Sequence, residues 1–206
     1  MDYLSVIRNI RRSQQTNLGD KFMSRIATPA SIEASPTASQ PLLEAVKKML
    51  GSVPNLFRMV GNSSAALEGY LGLNGALSKG KLDAKTRERI ALAIAEINGC
   101  NYCLAAHTYL GKNLAKLDDV EIAANRNGGS NDTKADTAIR FAATIARTRG
   151  HIADSDLQAA KLAGYSDAEI VEIVAHVALN TLTNYVNNVT GTDIDFPMVS
   201  AAKKAA

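Results

Sequence analysis

The chain has 206 residues, 46% of them hydrophobic, enough to close a core of its own in one domain. Its formal charge of +3 and the lack of a basic stripe argue against a nucleic-acid partner, and no apolar run reaches the roughly 18 to 20 residues of a membrane helix. With no Trp and 5% aromatic residues, while Ala and Leu abound, the core is expected to be built from small side chains on closely spaced helices.

The N-terminus carries Arg11-Arg12, but the polar run Ser13-Gln14-Gln15-Thr16-Asn17 comes next instead of the hydrophobic region of an export signal. A cytoplasmic location is expected. Met23 opens a second plausible start, so residues 1–22 read as an appendage to a single helical domain over residues 23–206. Between Ile26 and Gln40, Pro, Ser, Thr and Ala predominate, a composition that favours an extended arm.

Helices come after the arm. Pro41 to Leu50, ending at Gly51, is the first, and Asn55 to Val60, after Pro54, is a short second. Ser63 or Ser64 caps a third that runs to Ser78, and Asp83 caps a fourth that ends at Asn98-Gly99. A fifth starts near Cys100 and runs to about Asn113, and a sixth, capped by Asp118, carries Val120 to Asn125. Beyond the loop Asn127-Gly128-Gly129-Ser130-Asn131, helices are expected over Lys134 to Arg149, Asp154 to Ala163 and Asp167 to Asn188. No strand pattern interrupts them. The fold class is all-α.

The chain's two cysteines both lie in Cys100-Asn101-Tyr102-Cys103, with His107 four residues later. On a helix beginning at Cys100 all three project from one face, and Cys103 and His107 are an i, i+4 pair. Unpaired N–H groups at the helix start favour a thiolate, and a nearby imidazole can take the proton. Cys103 feels both effects and suits a nucleophile that attacks a peroxide. Cys100, nearer the helix end and expected to be the more exposed, suits the resolving thiol.

Other readings of these residues are a static disulfide, a zinc site completed by His151, His176 or a carboxylate, and a merely packed His107. On the preceding helix, Glu88 sits on an otherwise small and apolar stripe with Ala91, Leu92 and Ala95. A hairpin between the two helices would carry it toward His107 as a proton acceptor that relays to Cys103. The alternatives are a surface pairing of Glu88 with Lys85, Arg87 or Arg89, and Glu96 as the competing carboxylate. On the last long helix, His176, Asn180, Thr183, Asn184 and Asn187 form a polar stripe that reads as a solvated face, with a pocket wall or a subunit contact as the alternative.

Taken together, Glu88, Cys100, Cys103 and His107, at these spacings and set in Asn98-Gly99-Cys100 and Ala106-His107-Thr108, resemble the alkylhydroperoxidase D-like branch of the carboxymuconolactone decarboxylase family. The tail Thr192-Asp193-Ile194-Asp195-Phe196-Pro197 is similar to its peroxidase-related members. The resemblance implies an all-helical alkylhydroperoxidase-like bundle assembled as trimers or hexamers, peroxide or disulfide as substrate, and no bound cofactor. Turnover would come from an external dithiol reductant, such as a lipoylated carrier. It assigns Cys103 as peroxidatic, Cys100 as resolving, His107 as the proton relay and Glu88 as the base behind it. The chain departs from the best-studied branch at Tyr102, where that branch carries a histidine. True decarboxylases of the family generally lack the cysteine pair, so the lactone reaction is not expected.

Overall fold

A helix starts where a short polar side chain can close its first turn, and most helices here start that way. The computed structural model describes residues 24–202; the appendage expected over residues 1–22 lies outside the described residues. After an irregular arm and a 3-10 turn, the described residues form α1 (Gln40–Leu50), α2 (Asn55–Val60), α3 (Ser64–Leu77) and α4 (Ala84–Ile97). Then come α5 (Asn101–Asn113), α6 (Asp119–Arg126), α7 (Thr133–Thr148), α8 (Asp154–Leu162) and α9 (Asp167–Thr190). No strand occurs among the described residues. Ser63, Asp83, Asp118, Asp132 and Ser166 each accept a backbone N–H three residues on, at the starts of α3, α4, α6, α7 and α9.

The architecture is organised around α4. From Ile90 to Ala95 no residue is more than 3% exposed, so this helix is buried on every side. Leu92 and Ala95 pack with α1, α2, α3 and α5 in one core, through Leu43, Val46, Leu56, Phe57, Leu67 and Leu104. Ile90, Ala93 and Ile94 pack with α7, α8 and α9 in a second, through Ile139, Ala142, Ala160 and Ile173. Small side chains on α4 are what let so many helices approach one axis.

Each end of α4 is fixed by its own contacts. Near its start, Arg89 reaches α6, where its Nε donates to Glu121 at 2.7 Å with both side chains nearly buried. At its other end α4 turns directly into α5 through Asn98, Gly99 and Cys100. Gly99 takes φ +63°, a left-handed conformation that costs an L side chain strain, and its N–H bonds to Glu96 while that of Cys100 bonds to Ala95 at 2.9 Å. The end of one helix thereby sets the position of the first residue of the next.

The described segments before α1 and after α9 both wrap this bundle. The N-terminal arm is tied by Arg25 N–H to the Thr190 carbonyl (2.6 Å) and by Arg58 to the Ala30 carbonyl (2.6 Å). The segment after α9 crosses back over α2 and α5, where Asn55 donates to the Asp193 carbonyl (2.9 Å) and Ala201 N–H to Asn101 (2.9 Å). Among the described residues no helix is long and apolar enough to cross a membrane.

Candidate active site

Cys100 is the N-cap of α5, and its Sγ accepts the Cys103 N–H at 3.3 Å, the role a serine or aspartate oxygen usually fills. Both are free thiols, and they are 0% and 2% exposed. The expectation that Cys100 is the more exposed is therefore corrected. The cause is tertiary: Asn188 on α9 donates to the Asn98 carbonyl at 2.8 Å, Asn98 donates to Asn184 at 2.9 Å, and the C-terminal segment is pinned to Asn101. These contacts cover the first turn of α5.

The polar stripe of α9 is also not a solvated face. His176, Asn180, Thr183, Asn184 and Asn187 are all buried, at 6% exposure or less. Its C-terminal end forms a wall of the thiol site, with Asn187 Nδ2 donating to Cys103 Sγ at 3.3 Å. Asn187 and Asn184 are the functional side chains that motif spacing does not single out. The visible signal is the run of amides itself, and it does not say whether the partner is water or a buried sulfur. His176 stands apart at the other end of the stripe, where burial pushes its pKa down to about 4, aided by the Arg87 charge.

Glu88 and His107 do come together: His107 Nδ1 and Glu88 Oε2 are 2.9 Å apart across the α4–α5 hairpin, each side chain 23% exposed. The competing pairings are taken elsewhere. Arg89 binds Glu121, Arg87 donates to the Ser78 and Leu82 carbonyls, and Glu96 holds Arg126 at 2.7 Å. Among the described residues no three His, Cys, Asp or Glu side chains converge as a metal site.

The electrostatics are set by these contacts. Donation from the Cys100 thiol pushes Cys103 well below an ordinary thiol against the cost of burial, and the His107 charge and the amides of Asn187 and Asn184 add to it. The same hydrogen bond and burial push Cys100 up. For His107, burial alone would lower the pKa, but the Glu88 carboxylate outweighs it, so the imidazolium is held above its usual range.

Beside this group lies a cavity of about 710 Å³, lined on its α5 side by Tyr102, Ala106, His107 and Tyr109, and by Glu88 from α4. Tyr102, between the cysteines, donates its hydroxyl to Asp195 at 2.7 Å and accepts the Leu56 N–H at 3.1 Å. Asp195 also accepts the Asn55 N–H at 2.8 Å, so the C-terminal segment is locked onto the C-x-x-C turn.

Residues 64–128, which run from the start of α3 to just beyond α6 and hold all four motif residues, match the carboxymuconolactone decarboxylase family. The fold agrees with that of several solved structures. A peroxidase-related protein from a Silicibacter species superposes with a TM-score of 0.72 at 23% identity, covering 86% of this chain and 95% of that one. The likeness to the carboxymuconolactone decarboxylase family is thus carried by residues 64–128, about a third of the chain. A second solved structure, described as an alkylhydroperoxidase AhpD core, is a peroxidase-related protein from Ralstonia eutropha with a TM-score of 0.71 at 24% identity, covering 85% of this chain and 94% of that one. Within the same fold stands a debrominase solved with 2,3,4-tribromopyrrole, with a TM-score of 0.67 at 17% identity, covering 85% of this chain and 92% of that one. An uncharacterised protein from Haemophilus influenzae is 50% identical over 42 residues, 20% of this chain and 37% of the relative. The chain thus spans about a third of that curated relative.

Proposed function

We propose that this protein is a thiol peroxidase that reduces organic or hydrogen peroxides through a Cys100–Cys103 cycle. The observation that carries the reading is the surroundings of Cys103: a thiol pushed toward thiolate by Cys100, Asn187 and His107, with the Glu88–His107 pair at the edge of a cavity. Cys103 Sγ attacks the terminal peroxide oxygen, forming an S–O bond as the O–O bond breaks. The departing alkoxide takes a proton from the His107 imidazolium, whose charge Glu88 stabilises, and leaves as the alcohol. Cys100 then attacks the sulfenic sulfur, forming the disulfide and releasing water. An external dithiol, such as a lipoylated carrier, returns the two electrons. No bound cofactor is needed.

The debrominase shows that this fold also hosts other chemistry, and a dithiol–disulfide oxidoreductase without a physiological peroxide is the competing activity. The two are separated by treating reduced protein with peroxide and reading the product by mass spectrometry. Cys100→Ser is expected to accumulate a sulfenic acid on Cys103, and Cys103→Ser to stay unoxidised. A native chain with neither cysteine oxidised would remove the peroxidase reading.

Homo-oligomeric assembly, as trimers or hexamers, belongs to the same proposal. Val171, Val174, Leu182, Tyr185 and Val189 form an apolar stripe along α9, each at least 45% exposed, on a different face from the amides. Light scattering is expected to return a multiple of the 21.9 kDa chain mass; a monomer at micromolar concentration would contradict this part.

A further inference from the structure

Aromatic residues are scarce in this chain, six Tyr and four Phe. Eight of these lie among the described residues, and five of the eight line the cavity beside Glu88 and His107: Phe57, Tyr70, Tyr102, Tyr109 and Phe196. They come from four separate segments, so neither a local sequence bias nor one helix face explains the gathering. Phe57 of α2 meets Tyr70 of α3 with ring centroids 5.7 Å apart. Phe196 of the C-terminal segment meets Tyr102 edge-on at 5.8 Å and Tyr109 at 6.0 Å. Phe57 and Tyr102 also belong to the core on one side of α4, and Tyr70 and Phe196 pack against it, so the same rings close that core and face the cavity.

At about 710 Å³ the cavity is of the size that holds a drug-like organic molecule, far more than hydrogen peroxide would occupy. Glu33, Lys47, Arg58 and Asp195 also stand on its walls, but the larger part of the lining is apolar and includes Ile32, Leu50, Val53 and Leu110, which favours an uncharged body there. Rings receive other rings well, edge to face or offset, at the centroid separations already present in this lining.

We infer that the cavity binds the aryl group of an aromatic organic hydroperoxide, with the peroxide end directed to His107 and Cys103. The identity of the reacting end rests on the thiol-peroxidase reading; the preference for an aryl group rests on the cavity alone. The terminal oxygen passes to the Cys103 sulfur, which is oxidised to the sulfenic acid. The O–O bond breaks, and the aryl-bearing alkoxide leaves as the alcohol after taking the His107 proton.

The experiment has two arms. In the first, the unreactive Cys103→Ser full-length chain is titrated with cumyl alcohol and with tert-butyl alcohol, and binding is followed by protein NMR. Cumyl alcohol is expected to bind on the order of tenfold more tightly, and Phe196→Leu, which keeps an apolar side chain of similar bulk, to reduce that preference by about threefold. Equal binding of the two alcohols by the native lining would overturn the inference, and this result needs no variant of the lining to fold. In the second arm, the reduced native chain is oxidised by cumene hydroperoxide and by tert-butyl hydroperoxide, each rate being divided by that of a small free thiol. The aryl peroxide is expected to lead by a similar factor. If cumyl alcohol binds selectively while neither peroxide oxidises Cys103, the aryl site stands and the peroxidase reading falls. If both peroxides react without discrimination and the alcohols bind equally, the peroxidase reading stands and the aryl site falls.

Discussion

Replacing His107 with glutamine is expected to slow peroxide oxidation of Cys103 at neutral pH on the order of a hundredfold, the scale of a lost general acid. Two causes add. The imidazolium is one of the influences that push the Cys103 pKa down, and it is the group placed to protonate the departing alkoxide. The reactive state is the thiolate with the imidazolium. It exists from the lowered pKa of Cys103 upward and is lost as pH rises through the raised pKa of His107, so the native rate should trace a bell. His107→Gln moves the acidic limb to higher pH and removes the alkaline one. Glu88→Gln keeps the bell but brings its alkaline limb down, because the Glu88 carboxylate, 2.9 Å from Nδ1, is what holds His107 up against burial. Iodoacetamide alkylation over the same pH range isolates thiolate formation from proton donation. A rate profile for His107→Gln that overlays the native one would sink the relay.

The other large effect concerns stability. Replacing Glu121 with leucine is expected to cost about 3–5 kcal/mol, a large part of the roughly 5–15 kcal/mol that holds a typical domain folded. Glu121 binds Arg89 of α4, Asn125 (2.9 Å), the Ser130 hydroxyl and the Asn131 N–H (2.8 Å), and so joins α6 and the loop after it to the central helix. Its loss strands the Arg89 guanidinium in a nearly buried position. The paired change Arg89→Met with Glu121→Leu should restore much of the loss, since it removes both charges.

The acid response has the same origin. Burial would raise the Glu121 pKa, but Ser130, Asn125, Asn131 and Arg89 outweigh it and push the carboxyl down from 4.5 to about 2. A lowered folded pKa means that the unfolded chain binds the proton more tightly. The stability is fully present above the ordinary carboxylate pKa and is lost as pH falls toward 2. Urea unfolding of the native chain and Glu121→Leu at pH 7 and pH 3 checks both statements: the gap between them should narrow at the lower pH. A loss below about 1 kcal/mol at pH 7 would show that the cluster is not a structural tie.

Much of this protein is legible in one dimension because it depends on neighbours a few residues apart. Ser63, Asp83 and Asp118 mark helix starts that the structure bears out, α9 begins at Asp167 as expected, and α7 starts one residue earlier than Lys134 because Asp132 is the cap. Helical spacing alone puts Cys103 and His107 on one face, and the short link after α4 makes the approach of Glu88 a natural expectation. A hydrogen bond within a turn, or a side chain four positions along one face, is determined by local geometry that the residues themselves carry.

Only the tertiary structure decided what covers the cysteines and what the amides of α9 touch. Asn187 meets Cys103 across 84 positions of chain, and Tyr102 meets Asp195 across 93. A stripe of Asn and Thr has the same composition whether it faces water or a buried thiol, because both satisfy its donors and acceptors. The packing of α9 across α4 and α5 selects between the two, and with it the burial of Cys100 and the donor beneath Cys103. The ring-lined cavity has the same origin, since Phe57, Tyr70, Tyr102, Tyr109 and Phe196 come from four separate segments and meet only where α2, α3, α5 and the C-terminal segment converge.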